Sequence, residues 1–202
     1  MNDRYSWNLS AGVTQPYCTF SDIFSEDEIN DIIKIGESEV TERGQAGSFV
    51  NSDRSLDIID INRRDSYISW ISSSNSYNFW LFRKITDVIN AANKQFFNFN
   101  LEKIESLQYT IYKQGCFYNK HADMQDYHPG HAVRKLSFSL QLIDEKEYDA
   151  GDLVLCLSSN QHMPRKKGTL IIFPSYLIHE VTKVTRGTRK SLVGWVEGPP
   201  FK

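Results

Sequence analysis

The chain predicts an α+β domain, mainly β, with helices in its first half and a β-sandwich or barrel in its second. Three observations predict this. Two segments before residue 100 carry apolar residues at helical spacing. Six or more short segments after it have the length and texture of strands, and turn-forming stretches separate them. With 202 residues, 40% hydrophobic and 13% aromatic, the chain can bury a real core without disulfides or a structural metal. It reads as a single domain over 1–202, with 1–100 as lead-in and helical support and 101–202 as the β core.

In order, residues 1–24 form an extended lead-in. Ser25-Glu26-Asp27-Glu28 has the spacing of a capping box, and Ile29, Ile32 and Ile33 make an apolar face behind it, so a helix runs over about 26–38. Thr41 to Ser55 is a loop by composition, and Leu56 to Ile61 a short strand followed by the basic pair Arg63-Arg64. Tyr77 to Phe97 is the longest helix, because Leu81, Ile85, Val88, Ile89 and Ala92 line one stripe. Strands follow over 104–113, 134–143, 152–157, 168–173, 180–184 and 189–196. In Leu136 to Leu142 apolar and polar residues alternate, so one face packs on a core. The other, with Ser137, Ser139 and Gln141, faces bulk water or a polar cavity.

Composition narrows the partners. A formal net charge of −2 gives no basic surface for phosphate backbones, so nucleic acid is a poor partner. No apolar run reaches the roughly 18–20 residues that cross a bilayer, and the first residues lack a signal-peptide core, so the expected location is cytoplasmic. Cys18, Cys116 and Cys156 are odd in number and form no C-x-x-C pair, so they read as buried thiols rather than zinc or redox ligands.

The chemistry concentrates after residue 110. His121 and Asp123 lie two apart, on one side of an extended segment. His179 sits between two apolar strand segments, either as a structural histidine or as a third ligand. Two imidazoles and one carboxylate are the facial set that leaves positions open on Fe(II). His121, His128 and His131 form a competing set within a loop. Arg189 shares a strand face with Ser191, Val193 and Trp195, and a guanidinium there needs an anionic partner if buried. As a surface residue it would pair with a nearby acid. Tyr112 can add a phenolic hydroxyl to the same anion. Tyr118 packs beside the metal or touches substrate, and Trp195 belongs to the core or to a substrate platform. His162 reads as solvent-exposed beside a basic hairpin tip.

Taken together, these segments resemble a known family. Tyr112-Lys113-Gln114-Gly115-Cys116-Phe117-Tyr118-Asn119-Lys120-His121-Ala122-Asp123 is similar to the Y-x-x-G-x-x-Y-x-x-H-x-D run of Fe(II)- and 2-oxoglutarate-dependent dioxygenases of the prolyl 4-hydroxylase branch. Arg134 to Leu142 with the Ala150-Gly151-Asp152 turn resembles that branch's R-x-x-S/T strand and G-G-E turn. Gly168 to Pro174, His179-Glu180-Val181 and Gly187-Thr188-Arg189 resemble its ending. The resemblance spans about 105–197.

It implies a double-stranded β-helix (jelly-roll) with supporting helices. His121, Asp123 and His179 would hold Fe(II), Arg189 the far carboxylate of 2-oxoglutarate, and Tyr112 a further hydrogen bond to it. Tyr118, Ser137, Gln141 and Trp195 are candidate cosubstrate or substrate contacts, Gln141 standing where some relatives place a second tyrosine. The implied reaction uses O2 to convert 2-oxoglutarate to succinate and CO2 while hydroxylating an unactivated C–H, with ascorbate as a reductant. A prolyl residue in a peptide or protein is the expected substrate, ahead of a free amino acid or other small molecule. From a different class, the competing reading is a non-catalytic metal-binding jelly-roll.

Overall fold

A computed structural model describes residues 15–47, 57–58, 60–124 and 132–201. Parts of the expected lead-in and of the 41–55 loop, and His128 and His131 of the competing set, lie outside the described residues, as do Leu56 and Ile59 of the expected 56–61 strand. Cys18–Phe20 (β1) precedes the first helix, Glu26–Ser38 (α1). The Ser25 hydroxyl accepts from the Glu28 amide and the Glu28 carboxylate from the Ser25 amide, which is why α1 starts where the capping box placed it. Short strands follow at Glu42–Arg43 (β2), Ala46–Gly47 (β3), Asp57–Ile58 (β4) and Arg64–Asp65 (β5), then Tyr67–Ile71 (β6).

The second helix is Phe79–Ala92 (α2), entered through a 3-10 turn and continued by a π-helical turn to Phe97. Asn98 ends it in the left-handed region, with φ of 55°, while the Asn93 amide bonds both the N–H and the carbonyl of Phe99. The remaining strands are Lys103–Ile104 (β7), Leu107–Lys113 (β8), Phe117–His121 (β9), Val133–Gln141 (β10), Tyr148–Ala150 (β11), Leu153–Cys156 (β12), Asn160–His162 (β13), Leu170–Pro174 (β14), His179–Val181 (β15) and Val184–Gly198 (β16).

Two antiparallel sheets form the body. The major sheet runs β1-β14-β10-β16-β8-β6-β2, with β7 and β11 also on β16, and the minor one runs β13-β12-β15-β9-β5. The jelly-roll with supporting helices expected from the sequence is therefore present. The first hundred residues do more than support it, because β1, β2 and β6 extend the major sheet and β5 joins the minor one. The expected 41–55 loop contains β2 and β3, and among the described residues of the expected 56–61 strand Asp57 and Ile58 are paired.

Helices α1 and α2 cover the outer face of the major sheet. Ile29, Ile32, Leu81, Ile85 and Ile89 meet Leu107, Leu136, Phe138, Leu140 and Leu192 in one buried cluster. The inner face meets the minor sheet around Tyr112, Leu153, Leu155, Ile171, Phe173, Val181 and Val184. Strand alternation sorts β10 between these faces, sending Leu136, Phe138 and Leu140 outward to the helices and Ser137, Ser139 and Gln141 inward. All three polar residues are buried. Of the two environments open to them, the structure gives the enclosed one.

Candidate metal centre and carboxylate pocket

Strands β9 and β15 of the minor sheet are neighbours, with His121 directly opposite His179. Asp123 follows β9 by two residues, its amide bonded to the Ser175 carbonyl in the turn before β15. Backbone pairing alone thus brings three ligand-bearing residues together. Their donor atoms all lie within 4.8 Å of one another. The carboxylate sits 3.5 Å from His121 Nε2 and 3.4 Å from His179 Nε2, and the three side chains are only 6, 9 and 7% exposed for His121, Asp123 and His179.

Surrounding groups fix each ligand. His121 Nδ1 is 2.8 Å from the Asn119 carbonyl and His179 Nδ1 is 2.9 Å from the Leu177 carbonyl. Those carbonyls can only accept, so each Nδ1 carries the proton and each Nε2 lone pair faces inward. Ser137 donates to Asp123 Oδ2 at 2.7 Å and is 2.9 Å from the Ser175 hydroxyl. Ser137 therefore acts behind the carboxylate. Tyr118 lies flat on His121, with ring centroids 3.5 Å apart and 14° between planes, and Phe173 meets His179 edge-on at 4.8 Å.

Electrostatics favour the metal-ready forms of His121 and Asp123. Burial pushes the His121 imidazolium down, towards the neutral form a metal needs. Burial opposes a charged Asp123, yet His179 and His121 together hold its carboxyl well below the usual range. At His179 burial also opposes charge, and the Asp123 carboxylate outweighs it and moves the group up. Two imidazole nitrogens and one carboxylate oxygen on one side of a shared point fit non-haem Fe(II).

Beyond this centre the inner face is polar and cationic. Arg189, 1% exposed, stands opposite Tyr112 across β16 and β8, its guanidinium carbon 5.4 Å from the Tyr112 ring centroid. Its Nη1 donates to Ser191 at 3.1 Å, its Nε has no partner, and it pairs with no acid among the described residues. The surface-pair reading of Arg189 does not hold. Burial raises the Tyr112 phenol pKa, so the group stays protonated and available as a donor. Trp195 is buried on the same face of β16, opposite Ser137, with the Arg134 guanidinium 4.0 Å over its ring. Gln141 is buried on this face too, its amide N–H 3.4 Å from the Pro164 carbonyl. His162 is exposed and pairs with Asp152 at 3.1 Å.

One residue at the site escaped the sequence reading. Arg64 is buried, donating to Ser66 at 2.8 Å, the Gln45 carbonyl at 2.9 Å and Gln108 at 2.7 Å. Its guanidinium carbon lies 4.7 Å from the Tyr118 ring centroid, so Tyr118 is held between Arg64 and His121. Burial moves the Tyr118 phenol up to about 12. The only hint in the sequence was a basic pair, and its partners lie up to 44 positions away.

The chain is similar to known proteins in sequence and in fold. Residues 107–197 match the family model described as the 2OG-Fe(II) oxygenase superfamily. A PKHD-type hydroxylase of Prochlorococcus marinus (strain MIT 9515) is 34% identical over 95 residues, which is 46% of this chain and 42% of the relative. One from Synechococcus sp. (strain JA-2-3B'a(2-13)) is 31% identical over 122 residues, 57% of this chain and 54% of the relative. The chain thus spans about half the length of the curated relatives it matches. Among solved structures, a Pseudomonas putida prolyl-4-hydroxylase superposes with a TM-score of 0.71 at 19% identity, over 93% of this chain and 95% of that one. A Trichoplax adhaerens prolyl hydroxylase, in complex with a hypoxia inducible factor oxygen degradation domain peptide fragment, gives 0.70 at 17% identity, over 90% and 83%. The fold is that of these enzymes.

Proposed function

We propose, on the premise that residues 107–197 form a 2OG-Fe(II) oxygenase domain of prolyl 4-hydroxylase-like type, that the chain is an Fe(II)- and 2-oxoglutarate-dependent hydroxylase acting on a prolyl residue of a peptide or protein. One observation carries this reading. Three converging metal donors of the minor sheet stand across the interior from a buried arginine of the major sheet that no acid of the described chain neutralises. A metal-binding jelly-roll without catalysis has no use for the second feature.

His121, Asp123 and His179 would hold the iron, which supplies the O2-dependent oxidising power when bound. The residues around it bind and orient. Arg189 offers a guanidinium to the far carboxylate of 2-oxoglutarate, and the protonated Tyr112 phenol adds a donor beside it. Ser137 steadies the metal-binding carboxylate, and Tyr118, pinned under Arg64, keeps the His121 ring in plane. The apolar cluster between the sheets excludes water from the reacting carbon, and ascorbate would serve as external reductant.

A peptide substrate is favoured by the rim. Met124, beside Asp123, and Ile178, beside His179, are 40% and 49% exposed, and nearby Tyr176 is 46% exposed. A chain crossing this apolar rim would pass directly over the metal centre. The Trichoplax adhaerens relative, which shares the fold, holds a peptide fragment. The test is anaerobic titration with Fe(II) and 2-oxoglutarate, reading the weak visible band of the chelate. A wild type with no band, indistinguishable from His179→Ala, removes the iron reading. Succinate release with proline-rich peptides against free amino acids then decides the substrate class.

A further inference from the structure

We propose that Lys135 is a binding site for an acidic side chain of the peptide substrate, covered by the Phe201 ring until the peptide arrives. This rests on the peptide reading given above and deepens it. The starting observation is a buried cation without an anion. Lys135 is only 3% exposed. Among the described residues its ammonium meets no carboxylate and no hydrogen-bond acceptor, only the face of Phe201, whose ring centroid is 3.4 Å away. Burial moves its pKa down, and no carboxylate acts against that. An aromatic face recovers only part of what a buried charge loses with its water.

The fold sets this lysine at the edge of the metal centre. Strand β10 bulges there, since Arg134 pairs with Glu197 and Leu136 with Val196, which leaves Lys135 without a partner on β16. Bulges of this kind re-aim the side chain they carry. The Lys135 carbonyl accepts the Ser175 amide at 3.0 Å, and the Ser175 carbonyl in turn accepts the amides of Asp123 and Met124. Phe201 reaches Tyr176, the next residue of that turn, with ring centroids 6.1 Å apart, and meets Phe99 edge-on at 5.4 Å. Tyr176 belongs to the exposed rim with Met124 and Ile178. The surface on which a peptide would lie therefore continues onto Phe201, with Lys135 beneath it.

The described acids of this edge are already taken. Glu105 holds Arg134 through two contacts of 2.6 and 2.7 Å, Glu197 holds Lys103 at 2.9 Å, and Asp123 lies between the two imidazoles. Lys135 is left without one. A carboxylate on a peptide crossing the rim accepts from the ammonium and cancels its charge, which the ring face cannot do. Phe201 suits the part of a cover. It is 47% exposed and holds the ammonium by its face alone, so a carboxylate displaces it at small cost.

The test is fluorescence anisotropy of labelled peptides on the full chain with Mn(II) and 2-oxoglutarate, without O2. The peptides carry one proline among neutral residues and are blocked at both ends. They differ only in a single Glu or Gln walked along the positions on either side of the proline. For wild type, the expected result is one position at which Glu binds roughly tenfold or more tighter than Gln, as for a close charge pair across an interface. Lys135→Met keeps the length of the side chain and removes its charge. It should abolish that preference and leave the Gln peptide at wild-type affinity, which a general loss of folding would not allow. Phe201→Ala should tighten the Glu peptide and leave the Gln peptide unchanged, because no ring has to be displaced. If peptides bind and no position prefers Glu, or if the preference survives in Lys135→Met, the inference is overturned and the peptide reading stands. If Phe201→Ala weakens the Glu peptide, the ring is part of the binding floor and the proposed cover fails. If wild type binds none of the peptides, the peptide reading falls first and takes this inference with it.

Discussion

The two faces of the major sheet are built from the same strands and treat polarity in opposite ways. On β10, Leu136, Phe138 and Leu140 point to the helices, while Ser137, Ser139 and Gln141 point to the minor sheet, and all six are buried. The outer face meets helices α1 and α2 through apolar contacts that contribute stability. The inner face carries Thr110, Ser139 and Arg189 with donors unmet, which costs stability. One layer holds the fold, and the other carries the proposed ligand pocket. A strand one residue out of register would exchange them, so the division also explains why alternation is strict here.

Variants on each face should therefore fail differently. His179→Ala removes a proposed ligand outright, and we expect metal affinity to fall by more than the roughly 10–100-fold that loss of an outer partner costs, with activity abolished. Metal content after dialysis checks this, and an unchanged melting curve for the metal-free protein would show that the loss is chemical. Phe138→Ala on the outer face should cost about 3–5 kcal/mol of stability in a denaturant melt. Its folded fraction should bind 2-oxoglutarate with unchanged affinity. A large affinity loss in Phe138→Ala would break the separation of the faces.

Arg189→Ala should weaken 2-oxoglutarate by about 30-fold to a few thousandfold, equivalent to roughly 2–5 kcal/mol, while sparing the metal. It should cost little stability, because it removes a buried charge that no acid offsets in the absence of ligand. The smallest effect belongs to the helix layer. Glu28 is held below the ordinary carboxylate range first by its hydrogen bond from Lys84, at 2.6 Å. A depressed carboxyl stabilises above its unfolded pKa, and that contribution is lost as pH falls through its folded value. Glu28→Gln keeps the capping geometry and should lose no more than about 1 kcal/mol near neutrality. Its stability should then respond less to acid than wild type does, as a pair of melts near neutral pH and near pH 3 would show.

Much of this was legible from residues. The capping box placed α1, and the Leu81-Ile85-Ile89 stripe placed α2, because both signals are local. The candidate ligands His121, Asp123 and His179, with Arg189, stood out through resemblance to the dioxygenase segments, and pairing of β9 with β15 brings the three together. The inward course of Ser137, Ser139 and Gln141 was undecided, since alternation shows that two faces differ but not what covers the polar one. That depends on the minor sheet, whose strands are short. Its β9, Phe117-Tyr118-Asn119-Lys120-His121, has no apolar alternation, because its side chains answer to the site and to solvent. Arg64 was silent for a related reason. Its contacts with Gln45, Gln108 and Tyr118 exist only once three separated segments meet.

Strand β16 has a consequence of its own. It runs unbroken from Val184 to Gly198 and pairs in turn with β11, β8, β10 and β7. Arg189 and Trp195 lie on it six residues apart, a span of about 20 Å at the usual strand rise. The strand works as a ruler, with the proposed carboxylate anchor at one graduation and the proposed metal end at another. Deleting one residue between them would shorten the ruler by only about 3 Å and turn one of the two side chains towards the helices. Length changes should therefore be tolerated far better in loops remote from the site than in this strand.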